Sequence, residues 1–256
     1  MTKNETLDSL VHLSNTLGAL DRNLVIIGEG NTSHRADEQS FRVKASGFQL
    51  GTIRAEGFVQ VYFAPILQLF DNPPGSLAEE REALAAARVD QSTALRPSVE
   101  TTFHAMLLHD CNVQCIAHTH PIAVNRLMCS SQAELFARNR LFPDEIVLCG
   151  PESVFVPYVD PGLPLAKTIR ERVRQYMDVY DEAPKVILLK NHGLITLAQT
   201  TTEALNITAM CVKAAEILIG TLMIGKPDFL SRDVVMHIYR RPDEIYRRNL
   251  FMDDQG

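Results

Sequence analysis

The chain contains no CxxC pair, and its cysteines are odd in number: Cys111, Cys115, Cys129, Cys149 and Cys211. Nothing here resembles a disulfide framework, and free thiols in a reducing cytoplasm are the simplest state. No basic cluster occurs either. With a net charge of −6, nucleic acid is not the expected partner. The opening Met1-Thr2-Lys3-Asn4-Glu5 is polar and leads into an amphipathic pattern, so it does not read as a signal peptide. The most apolar long run, Ala204 to Ile224, is interrupted by Asn206, Lys213 and Glu216. It reads as the core helix of a soluble protein and not as a membrane span. No linker, repeat or low-complexity segment divides the chain. A cytoplasmic protein without membrane or nucleic-acid partners is expected.

What is present is ordinary in amount and specific in arrangement. The 256 residues are 46% hydrophobic and 22% charged, enough for a sizeable core. Apolar spacing predicts helices over 5–20, 64–72, 77–88, 163–179 and 201–220, with another from Pro97-Ser98 to about His109. Pro121 opens a further helix, where its missing N–H costs little. Strands are predicted over 40–46, 58–63, 113–118, 145–148, 154–156, 185–190 and 194–197. Gly28-Glu29-Gly30-Asn31-Thr32-Ser33 reads as a glycine-rich turn, neither a P-loop nor GxGxxG. The segment from Gly225 to Gly256 is polar and carries Tyr239 and Tyr246. The expected fold is α/β: one domain over 1–256, with a mixed, largely antiparallel central sheet between helical layers. Its core covers about 5–225 and its C-terminal tail 226–256.

The chemistry centres on Ala117-His118-Thr119-His120-Pro121. Two histidines two residues apart at a strand end place both imidazoles on one face. Imidazole is a common ligand for zinc and related ions. His192, in Lys190-Asn191-His192-Gly193, follows another apolar strand, and Glu100 lies upstream in Pro97-Ser98-Val99-Glu100. Three histidines and a carboxylate at element ends make a candidate metal site. Glu100 also suits the first turn of a helix for purely structural reasons. His104, four residues on along the same helix face, reads as packing support. Cys115 reads as a small buried hydrophobe rather than a ligand. Lys44 and Ser46 share a strand face. With Gly47, Asn31 and Ser98 they offer N–H groups, hydroxyls and one cation to a phosphate or carboxylate.

Five motifs occur in the order seen in class II aldolase/adducin-type proteins, the group of fuculose-phosphate aldolase and ribulose-phosphate 4-epimerase. They are Gly30-Asn31-Thr32-Ser33, Lys44-Ala45-Ser46-Gly47, Ser98-Val99-Glu100, His118-Thr119-His120-Pro121 and Asn191-His192-Gly193. The chain resembles that family over roughly 5–225. The resemblance implies a homotetramer with active sites at subunit interfaces and a bound Zn2+, or Mn2+ or Co2+. It implies His118, His120 and His192 as metal ligands and Glu100 as the acid/base that also approaches the metal. Asn31, Ser46, Gly47 and Ser98 would hold a substrate phosphate. Adducin heads share the fold but lack the metal histidines, so the histidines kept here favour an enzyme.

Two departures bear on the substrate. The sugar-phosphate aldolases carry Ser-Ser-Glu where this chain has Ser98-Val99-Glu100, so one phosphate hydroxyl is lost. Their loop tyrosine is also missing from Phe142-Pro143-Asp144-Glu145. Asp144, or a tail tyrosine of a neighbouring copy, Tyr239 or Tyr246, is then the candidate proton donor. The expected activity is aldol cleavage of a small ketose or ketose phosphate through a metal-stabilised enediolate. Decarboxylation of a 3-keto sugar acid and 4-epimerisation are alternatives on the same site. A metal hydrolase and a non-catalytic adducin-like module rank lower.

Overall fold

The computed structural model describes residues 3–252. Its centre is one seven-stranded sheet formed by β1 (Asn31–Arg35), β2 (Ser40–Lys44), β3 (Phe58–Tyr62), β4 (Cys115–Thr119), β5 (Val154–Val156), β6 (Val186–Leu189) and β7 (Gly193–Ala198). The spatial order is β3-β2-β1-β4-β7-β6-β5. Only the edge pair β5–β6 is parallel; the other neighbours run antiparallel.

The period of two in the strands divides the core into two layers. Ile116, Ile187, Ile195 and Leu197 face one side, where they join Phe41, Val43 and Val61. Against them pack α2 (Phe63–Asp71), α3 (Leu77–Ala86), α4 (Thr101–Asp110) and α8 (Leu163–Tyr180). Cys115, Ala117, Val186, Leu188, Leu194 and Ala198 face the other side. That side is covered by α1 (Lys3–Leu17), α5 (Ile122–Met128), α6 (Ala133–Arg138), α7 (Pro143–Cys149) and α9 (Thr201–Ile224). Cys115 thus lies in the core face opposite Ile116, as a buried apolar side chain. Thr200 caps α9 by accepting the Glu203 N–H at 3.1 Å. Among the described residues α9 is the one helix long and apolar enough to cross a membrane. Here Ile207, Cys211, Ala214, Ala215 and Leu218 lay one of its faces into the core.

Three readings of the sequence are corrected. Residues 145–148 are helical, inside α7, and not a strand. Pro143 sets the first helical φ, and Asp144 and Glu145 favour a first turn, which outweighs the strand-like Ile146-Val147. The stretch 31–33, read as part of a turn, lies in β1 between β2 and β4. Its polar residues hid the strand, and they are satisfied by partners in the protein. Thr32 Oγ1 meets Ser14 Oγ at 2.6 Å, and Ser33 Oγ meets His104 Nδ1 at 2.7 Å. The helix predicted from Pro97-Ser98 begins at Thr101 instead, because Pro97 bridges to Ala45 as an extension of the sheet. The polar C-terminal stretch folds into α10 (Arg232–Arg240) and α11 (Pro242–Met252); residues 253–256 lie outside the described residues.

Candidate metal centre

β4 points Ile116 and His118 to the same face, toward α4, and His120 follows just past the strand end. β7 pairs with β4, with Thr119 opposite Leu194 and His118 opposite Ile195. The tight turn from β6 into β7 therefore carries His192 to the end of β4. Gly193 is required there: a Cβ would lie 2.6 Å from the Thr119 carbonyl and 2.7 Å from the His120 ring. Gly30 (φ +67°) makes the same kind of approach, where a Cβ would meet the His118 carbonyl at 2.6 Å.

His118, His120 and His192 offer nitrogens that all lie within 4.8 Å of one another. His118 Nδ1 donates to the Leu194 carbonyl at 3.0 Å, which leaves its Nε2 as a lone pair. That Nε2 stands 3.1 Å from His120 Nε2. Glu100, at the start of α4, places Oε1 3.5 Å from His118 Nε2 and 3.3 Å from His192 Nε2. Burial, then the nearness of His118 and His192, lowers His120 to about 3, so its imidazole is neutral at pH 7. Burial pushes the Glu100 carboxyl up, but the hydrogen bonds and charges of His118 and His192 outweigh it and hold it well below the usual range. Three imidazoles and one carboxylate turned toward one point are a donor set that fits a divalent ion such as zinc.

Support comes from behind. Asn31 Nδ2 donates to Glu100 Oε2, and Asn31 Oδ1 accepts from His104 Nε2. His104 is fully buried, and Ser33 holds its other nitrogen. The fixed amide of Asn31 thus sets the angle of the carboxylate. His104 thus supports the site through these two bonds. Asn125 of α5 donates to the His192 carbonyl at 3.0 Å, a contact that no sequence pattern announces.

Of the residues expected to meet an anion, Ser46 is tied to the stretch before Ser98 through the Ala45–Pro97 bridge and the Ser46 N–H bond to the Arg96 carbonyl. Ser46 and Gly47 are exposed just past this bridge. The Ser98 hydroxyl is buried and has no hydrogen-bond partner in the protein. Gly47 has φ +90° and leaves the turn open. Lys44 is buried and gives its Nζ to the Phe48 carbonyl at 2.7 Å and the Gly28 carbonyl at 3.3 Å. Burial lowers its pKa, opposed by the charge of Glu100.

The candidate proton donors lie elsewhere in the chain. Asp144 pairs with Arg247 of α11 at 3.0 Å. Tyr239 of α10 packs beside Ile146 and Val235, with the Arg248 guanidinium over its ring at 4.3 Å. Tyr246 is exposed on α11. The single chain does not bring these three to the histidines.

Fold and site together define a three-layer α/β protein with a histidine-rich centre at one end of its sheet. The sequence profile of the class II aldolase and adducin N-terminal domain matches residues 9–219, and the chain belongs to that family. YuxG of Bacillus subtilis strain 168, named as an uncharacterized oxidoreductase, is 30% identical over 217 residues, 82% of this chain and 29% of its own length. Methylthioribulose-1-phosphate dehydratase of Geobacillus kaustophilus HTA426 is 28% identical over 132 residues, 47% of this chain and 57% of its own. The chain therefore spans less than two thirds of the length of either relative. A solved L-fuculose 1-phosphate aldolase shares the fold, with a TM-score of 0.69 at 19% identity over 92% of this chain and 94% of that one.

Proposed function

We propose that this chain is a metal-dependent lyase that cleaves and forms an aldol C–C bond in a small ketose or ketose phosphate. The observation that carries the proposal is Glu100. Its Oε1 faces the histidine nitrogens at 3.3–3.5 Å while Asn31 holds its Oε2. His118, His120 and His192 would hold Zn2+, or Mn2+ or Co2+ in its place. A divalent ion bound there supplies Lewis acidity to a carbonyl–hydroxyl pair, stabilising negative charge as the bond breaks. Glu100 moves the proton to and from the carbon that gains electron density. Asn31, backed by His104 and Ser33, keeps that carboxylate from rotating away. Ser46, Gly47 and Ser98 bind the substrate's anionic end, and the unpartnered Ser98 hydroxyl supports this role. Lys44 contributes positive charge from behind the cradle.

Two named relatives, the dehydratase and the fuculose-phosphate aldolase, act on sugar 1-phosphates, which supports a phosphorylated ketose here. The proton at the aldehyde oxygen falls to Asp144, or to a tail tyrosine, Tyr239 or Tyr246, of a neighbouring copy in a homotetramer; exposure of Tyr246 supports its reach to a second copy. Val99 in place of a phosphate hydroxyl favours one alternative, decarboxylation of a 3-keto sugar acid in the same site. A panel of ketose phosphates and 3-keto acids separates the two. On whichever substrate turns over, Glu100→Gln lowers kcat by about 10²–10⁴. Full activity in that variant contradicts the assignment of Glu100.

A further inference from the structure

Each of the three histidines needs something to hold it. His118 has the Leu194 carbonyl at Nδ1, and His192 has Asn125 on its carbonyl. The third, His120, lies beyond the end of β4, and the segment Asn23–Glu29 straps it down. The His120 N–H donates to the Leu24 carbonyl at 2.9 Å, and the Ile122 N–H to the Asn23 carbonyl at 3.1 Å. The strap then makes a tight turn over residues 26–29. Two bonds between the same residues close it. The Glu29 N–H donates to the Ile26 carbonyl at 3.1 Å, and the Ile26 N–H donates to Glu29 Oε2 at 2.9 Å. Inside the turn Ile27 has φ +54°, a conformation that β-branched residues rarely adopt. The other carboxylate oxygen, Glu29 Oε1, stands 3.7 Å from His120 Nδ1.

Resting on the metal centre proposed above, we propose that Glu29 is a positioning residue for His120. From 3.7 Å its carboxylate faces Nδ1 and favours the proton there, and it closes to a hydrogen bond as the ring turns to the ion; this selects the tautomer in which Nε2 is the free lone pair beside His118. A carboxylate behind a ligating histidine sets its ring orientation and raises its basicity. Glu29 serves both purposes from one side chain: one oxygen closes the turn and the other addresses the ring. The strained turn at Ile27 delivers that carboxylate to Nδ1. In the sequence this residue shows only as part of a glycine-rich turn.

Glu29→Gln separates the two roles. The amide oxygen still accepts the Ile26 N–H, so the turn is kept. Its NH2 group then faces His120 Nδ1 and favours the wrong tautomer. The experiment measures Zn2+ affinity by competition with a chromophoric chelator, the visible spectrum of the Co2+-loaded protein, and the metal-free urea midpoint. For Glu29→Gln the expected result is an affinity about tenfold below wild type, at the lower end of what such partners contribute. An altered Co2+ spectrum and an unchanged metal-free midpoint accompany it. Wild-type affinity and spectrum in the variant overturn the proposal and leave the metal centre standing. A loss of affinity that comes with a lowered metal-free midpoint assigns Glu29 to the turn alone and also overturns it. Wild-type protein that binds no Zn2+ overturns the metal centre itself.

Discussion

His104 is fully buried on α4 between Ser33 and Asn31, and its ring donates to one and accepts from the other. Burial, and then the nearness of His118, lowers its pKa from 6.5 to about 3. The folded state therefore holds this imidazole neutral, while the unfolded chain protonates it below about pH 6.5. A depressed folded pKa gives stability that is fully present above 6.5 and is lost as pH falls toward 3. His120, lowered to about 3, acts in the same direction. Each group contributes a slope of up to about 1.4 kcal/mol per pH unit in this window. Urea midpoints of metal-free protein measured between pH 7 and pH 5 are expected to fall with pH. In His104→Gln the slope is expected to be about one proton shallower. Equal slopes in the two proteins contradict a neutral, buried His104. At this scale the sequence was readable for His118 and His120, whose strand-end spacing shows one face. Asn125 and Glu29 were not readable as site residues, because each acts through a backbone group or a ring that only folding brings near.

At the scale of elements, the site depends on the hairpin from β6 to β7 sitting against β4. Gly193 allows that contact, since any side chain there meets the Thr119 carbonyl and both His118 and His120. Gly193→Ala forces the turn away from β4 and is expected to destabilise the fold by about 1–3 kcal/mol, as overpacking does. It is also expected to weaken metal binding, because His192 moves with the turn. Chemical denaturation and metal titration together check this; a variant with wild-type stability and metal affinity contradicts the packing argument. The apolar strands β2, β3, β4, β6 and β7 were visible in the sequence because both sheet faces are covered and select Val, Ile, Leu and Phe. β1 was hidden for the opposite reason. Asn31, Thr32 and Ser33 are polar, and their burial is offset by partners on α1 and α4 that lie distant in sequence. α7 misled because Ile146 and Val147 suit a strand, while Pro143 and two acids decide for a helix.

At the scale of the whole molecule, the family and the three-layer architecture were legible from five short motifs in order, since each motif sits at the end of a core element. The centre stands near a surface that carries exposed Ile26, Ile27 and Ile122, and the far end of α9 exposes Met223 and Ile224. Such apolar exposure suits the proposed assembly of several copies. The central claim remains that His118, His120 and His192, pinned by β4, β7 and the strap, hold one divalent ion per chain. The direct test is the metal content of protein purified without chelator and incubated with Zn2+, for wild type and His118→Ala. About one ion per chain is expected in the wild type, and its loss in the variant. Wild-type protein that takes up no ion, or a His118→Ala variant that keeps it, contradicts the account.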